Sequence, residues 1–240
     1  MLENIKKIVL TTLFTFFVVG NSVSYAATDD EIISAATAAQ DDLFSTAKKP
    51  PVTGNGTTTL VFFYDYNCPY SRILYKELHG IMTQKELGSD ALKYRDIVNK
   101  LRIIYLPVGI IDEAASQAAA ISALAAHKQG KFFELHEVYV NETKPLALTA
   151  TNGKASIPEI VAMPSLGIDQ AKYQKDYNDV TTEMQVLNDN ALYDRMKLPG
   201  VPSIIGAKLD SNNKVIPNQL KYFSGVDRAT LLSFLVSLTS

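Results

Sequence analysis

Residues 57–78, TTTLVFFYDYNCPYSRILYKEL, constrain the fold of this chain more than any other stretch. A β-branched and aromatic run over 57–64 reads as a buried strand, Asp65-Tyr66-Asn67 as a short polar break, and Cys68-Pro69-Tyr70-Ser71 as the opening of a helical pattern. Cys68, the only cysteine of the 240 residues, therefore falls where strand hands over to helix. The first backbone N–H groups of a helix have no internal partner and the peptide dipoles turn their positive end outward, so that position favours a thiolate. Pro69 fits the first helical position, because its missing N–H would be unpaired there anyway. Cys68 is a candidate nucleophile by placement.

One cysteine also bounds the redox chemistry. Residues 1–26 read as a secretory signal peptide: Lys6 and Lys7 give the positive head, 8–19 the apolar stretch, and Ser24-Tyr25-Ala26 a small-x-small cleavage site. The apolar stretch is short for a membrane span, and stable membrane insertion is not expected. Removal of the leader leaves 214 residues, and taking Lys6, Lys7 and Glu3 from the 23 basic and 25 acidic residues leaves 21 against 24. That near balance argues against nucleic acid or an anionic membrane surface as the main partner. An exported chain meets an oxidising compartment, yet a single cysteine forms no internal disulfide, so any disulfide must be intermolecular.

Along the chain, Thr28 and Glu31 have the spacing of a capping box for a helix over 28–47, with Ile32, Ala36, Ala39 and Leu43 on one face. Lys48-Lys49-Pro50-Pro51 reads as a stiff connector to Gly54-Asn55-Gly56. The helical pattern after Cys68 gives way to a polar, Gly-marked region over 80–96, then a second strand over 102–106. Asp112 caps an Ala-rich helix to His127, a further helix covers 131–141, Ser156 and Glu159 form another capping box, and one long helical pattern runs from Asp169 to about Met196. A short strand over 203–207, a turn at 210–213, a partner strand over 220–223 and a last helix over 229–238 capped by Asp227 complete the order.

The run Phe62-Phe63-Tyr64-Asp65-Tyr66-Asn67-Cys68-Pro69-Tyr70, with Gly200-Val201-Pro202-Ser203 far downstream, resembles the DsbA family of thioredoxin-fold thiol–disulfide oxidoreductases. The resemblance implies an α/β, thioredoxin-like fold with an inserted helical domain: residues 51–240 with the insertion at about 112–196. Residues 27–50 would form an amino-terminal helix, either packed on its own domain or serving as an oligomerisation arm. It implies a cis Val201–Pro202 bond beside the cysteine, with Pro69, Tyr70, Val201 and Pro202 meeting an extended substrate segment, and Cys68 and Ser71 as the catalytic pair. It also implies a bacterial periplasmic location and no cofactor or metal. Two departures stand out. The family's second active-site cysteine is Ser71 here, and the position of its buried acidic residue, six before the cysteine, is Phe62.

With one sulfur a mixed disulfide can form, but its resolution needs an outside thiol. Ser71, three residues on, is spaced to donate a hydrogen bond to the Cys68 thiolate. Asp65 reads either as a group that tunes the cysteine's proton or as a solvated turn residue, and Tyr66 and Tyr70 either as groove walls or as core rim. His79, His127 and His136 lack metal-ligand spacing, and His136, on an aromatic helix face, reads as a satisfied core group. Gly54-x-Gly56 lacks the third glycine of a dinucleotide loop. Two functions remain: a monothiol exchange protein that forms mixed disulfides with exported cysteine-containing proteins or small thiols, of reductase or isomerase type, and a redox-inactive chaperone or assembly factor that binds exported peptides.

Overall fold

The computed structural model describes residues 27–45, 47, 49–83, 91–149 and 153–239. The signal peptide expected at 1–26 lies outside the described residues, as does part of the polar stretch expected over 80–96.

A five-stranded mixed sheet is the frame. Its central strand β2 (Thr58–Tyr64) is buried at every position, as its unbroken apolar run requires of a strand covered on both faces. It pairs in parallel with β3 (Leu101–Pro107) and antiparallel with β6 (Ser203–Leu209). The edges are β1 (Val52–Gly54) against β3 and β7 (Val215–Ser224) against β6, giving the order β1-β3-β2-β6-β7. β1 follows the expected connector and is itself unexpected: Gly54 takes φ 72°, and a side chain on Gly56 would place its Cβ 1.9 Å from the Lys100 carbonyl, so only glycine lets the chain pass that close to β3. β7 is longer than the four residues expected.

Alternation along β2 sorts its side chains between two cores. Leu60, Phe62 and Tyr64 face the larger one, with α3 (Pro69–Thr83), α4 (Ala91–Asn99) and α10 (Arg228–Thr239); Val61 and Phe63 face a second, closed by α1 (Asp29–Ala38), α2 (Gln40–Leu43) and α9 (Val180–Arg195). The helix expected over 28–47 is thus broken at Ala39 into α1 and α2. The Thr28–Glu31 capping box forms, and Ile32 and Ala36 are fully buried.

Between β3 and β6 lie α5 (Glu113–His127), α6 (Phe132–Asn141), a two-residue parallel bridge of β4 (Leu146–Ala147) with β5 (Ala155–Ser156), α7 (Ile157–Val161), α8 (Gln170–Tyr177) and α9. The single helical pattern expected from Asp169 is two helices, because Asp179 caps a new start: its carboxylate accepts the Thr181 N–H at 2.8 Å. Asp112 and Asp169 cap α5 and α8, Ser156 accepts the Glu159 N–H at the head of α7, and Asp227 accepts the Thr230 N–H at the head of α10. The inserted helices share the sheet's interior, beside a small cluster of their own at Ala120, Leu124 and Val186. Ala119, Phe132, Leu135 and Tyr139 share one apolar cluster with Leu60, Phe62 and Leu74. Chain order and sheet topology are those of a thioredoxin-like fold with an inserted helical region.

Candidate active site

Cys68 lies immediately before Pro69, the first residue of α3, and its carbonyl accepts the Arg72 N–H at 3.3 Å. Its Sγ donates to the Val201 carbonyl at 3.2 Å, and the Val201–Pro202 peptide is cis. Residues 133 positions apart are therefore in contact, and the loop before β6 covers the sulfur. Cys68 is only 4% exposed, whereas a nucleophilic sulfur needs access to its target. The covering group is a carbonyl that engages the thiol proton, so attack by the thiolate requires that bond to open.

Ser71 is also 1% exposed, and its hydroxyl accepts the Asp65 N–H at 3.3 Å instead of donating to the sulfur. The three-residue spacing brings it into the first turn, but the helix end draws the hydroxyl back onto the preceding break. Pro69 is exposed and Tyr70 is 61% exposed beside the sulfur, while Pro202 is buried and Val201 half-buried. Tyr70, Pro69 and, in part, Val201 are thus the residues of the expected set that reach the surface.

Asp65 is fully buried, not a solvated turn residue. Its Oδ1 accepts from the Asn67 N–H at 2.7 Å and the Ser116 hydroxyl at 2.8 Å, and its Oδ2 from the N–H groups of Ile110 and Ile111, both at 2.9 Å. Four donors offset the desolvation of the carboxylate. They tie the end of β2, the segment after β3 and the start of α5 into one knot under Cys68.

Tyr66 is core: it is 1% exposed, and its hydroxyl meets His136 Nδ1 at 2.8 Å and the Tyr64 hydroxyl at 3.2 Å. The His136 ring packs between Phe132, Tyr64 and Tyr75. Burial, with His79 as a smaller contributor, pushes its pKa down to about 3. Its Nε2 has no hydrogen-bond partner, so the expected satisfied core histidine is satisfied at one nitrogen.

Two residues that sequence reasoning passed over organise the rim. Arg72 Nε donates to the Tyr66 carbonyl at 2.7 Å, Nη1 to the Glu142 carbonyl and Nη2 to the Lys144 carbonyl at 3.3 Å. Burial lowers the pKa of this guanidinium, and Glu142, Asp65 and Cys68 act the other way. Asn67 pairs with the Leu146 backbone in both directions, donating through Nδ2 at 3.2 Å and accepting through Oδ1 at 2.7 Å. These two side chains clamp residues 142–146 to the turn that carries Cys68. On that segment their targets are backbone groups 70 to 79 residues away, which no local spacing reveals. Among the described residues, no cluster of three or more histidine, cysteine, aspartate or glutamate side chains is arranged to hold a metal ion.

A sequence profile described as "DSBA-like thioredoxin domain" matches residues 59–232. No curated protein sequence matches the chain. Among solved structures, a thioredoxin-like oxidoreductase from Silicibacter pomeroyi DSS-3 is similar at 26% identity and a TM-score of 0.57, covering 82% of this chain and 95% of that one. The thiol-disulfide exchange protein alpha-DsbA2 from Wolbachia pipientis is 22% identical, with a TM-score of 0.64 and coverage of 90% and 100%. A periplasmic thioredoxin-like protein from Salmonella enterica serovar Typhimurium is 20% identical, with a TM-score of 0.57 and coverage of 84% and 96%.

Proposed function

The chain belongs to the family of DSBA-like thioredoxin domains, and from that premise we propose that it is a periplasmic monothiol exchange protein working through mixed disulfides on Cys68. The observation that carries the reading is the lone Sγ held at the head of α3 against the Val201 carbonyl, with serine in place of a second sulfur. The Cys68 thiolate attacks one sulfur of a partner's disulfide; a new S–S bond forms, the old one breaks, and the departing thiolate takes up a proton. The partner's own other thiolate then attacks the partner's sulfur, giving a rearranged disulfide and releasing the Cys68 thiolate; when a small thiol attacks instead, the mixed disulfide it leaves on the partner is opened by a second small thiol, which reduces the partner and departs as the small-thiol disulfide. No electrons stay on the protein, which gives isomerase or reductase chemistry and no net oxidation. Pro69, Tyr70 and the Val201 backbone would meet the substrate as an extended segment, with Pro202 shaping the loop. The Lys6-Lys7 leader and the periplasmic Salmonella relative support export.

The 4% exposure of Cys68 favours a second reading, a redox-inactive chaperone or assembly factor using the same rim. Refolding of a scrambled disulfide-bonded protein separates the two. Exchange chemistry requires Cys68→Ala to abolish the catalysed reshuffling and Ser71→Cys to add net oxidation of a dithiol peptide. Equal help from the parent and Cys68→Ala would establish the chaperone reading instead.

We also read residues 27–45 as part of the domain and not as an arm between copies, because Ile32 and Ala36 spend the apolar face of α1 on the chain's own sheet. On the same grounds residues 51–240 are one thioredoxin-like domain, with the insertion at about 112–196 built onto its core.

A further inference from the structure

Two to three turns down α3 from Cys68, roughly 10 to 16 Å at 1.5 Å per residue, the surface opens into a cavity of about 340 Å³. Tyr75 and His79 of α3, Tyr105 of β3, and Phe133, Glu134 and Glu137 of α6 line it. The size falls at the lower end of small-molecule sites.

Its walls are rings held in place by the core. Tyr75 and Tyr105 are 2% and 3% exposed, and Tyr105 packs edge to face on Phe133 with centroids 5.4 Å apart. Its permanently charged groups are two carboxylates, Glu134 and Glu137, with the His79 ring beside Glu137. Glu137 Oε1 accepts the Tyr75 hydroxyl and lies 3.6 Å from His79 Nδ1, and Oε2 accepts from Asn141 Nδ2 at 3.2 Å. Neither lysine nor arginine is among these partners, whereas Glu134 is paired with Lys131 at 3.1 Å. Burial first and Glu137 second push the Tyr75 pKa up, so its phenol stays a donor and holds the carboxylate in one position.

A carboxylate fixed beside aromatic rings in a small apolar cavity disfavours anions and suits a cation whose shell is hydrocarbon. We propose that this cavity binds a small organic cation of the alkylammonium class, with Glu137 as counter-ion and the Tyr105 and Phe133 rings as walls. The site is independent of the sulfur chemistry.

Choline and its uncharged carbon isostere, 3,3-dimethylbutan-1-ol, are the probes, with ring resonances of Tyr105 and Phe133 followed by NMR in the purified protein. Choline should shift these resonances saturably, the alcohol should bind about tenfold more weakly or worse, and Glu137→Gln should reduce choline affinity by about tenfold. Phe133→Leu keeps the apolar volume but removes a ring and should also weaken binding, whereas Cys68→Ala should bind as the parent does. No saturable shift up to tens of millimolar, on the order of the weakest specific affinities, overturns the proposal. So does equal binding of the alcohol, or choline affinity untouched by Glu137→Gln.

Discussion

A carboxylate with four donors has no spare geometry for an amide. In Asp65→Asn one acceptor oxygen becomes an NH2 that must face either the Ile110 and Ile111 N–H groups or the Asn67 N–H and Ser116 hydroxyl. The variant should lose about 2–3 kcal/mol of stability, read as a lower urea midpoint at unchanged slope. His136 makes a different residue-level demand. Its folded pKa, about 3, lies below the ordinary value near 6.5. The unfolded chain therefore takes up the proton first, and the histidine's contribution is whole above about pH 6.5 and drains away as pH falls towards 3. Unfolding free energies from urea titrations down this window should fall more steeply for the parent than for His136→Phe, by up to about 1.4 kcal/mol per pH unit. Parallel slopes would show that the ring does not titrate on unfolding.

Among the elements, the segment around β4 is held by side chains from elsewhere in the chain. Asn67→Ala removes the acceptor of the Leu146 N–H and the donor to the Leu146 carbonyl. Hydrogen exchange at the Leu146 amide should accelerate by about tenfold or more while exchange in β2 stays slow. This clamp was illegible in the sequence because its targets are carbonyl and N–H groups of another segment. Caps behave oppositely: Thr28, Asp112, Asp169 and Asp227 each satisfy an N–H two or three residues on, a relation that short spacing announces. Asp179 obeys the same rule, and the helical pattern continuing on both sides of it concealed the break between α8 and α9. Tyr66 carried a signal that parity alone could have read. It continues the alternation of Phe62 and Tyr64 that faces the larger core. Cys68 before α3 and the meeting of residues 68 and 201 followed from motif and resemblance; the covering of the sulfur did not, because it depends on where one carbonyl of a distant loop comes to rest.

For the molecule as a whole, two cores flank one sheet, and α1 and α2 close the smaller. A chain beginning near Pro50 would expose Val61, Phe63 and Ile205 where Ile32, Leu43 and Phe44 now share their cluster. At roughly 1.5–3 kcal/mol per large apolar side chain, such a chain should melt well below the parent. Light scattering should give both the same number of copies per particle; a parent of larger multiplicity that shrinks on truncation would assign α1 to self-association. The concealed sulfur has its own kinetic consequence. With Sγ behind the Val201 carbonyl, an outside alkylating agent has to wait for the protein to uncover its target. Labelling should therefore speed up with reagent concentration and then level off, and a slender iodoacetamide and a bulky maleimide should climb at different gradients towards one shared ceiling, the frequency at which the prolyl loop swings aside.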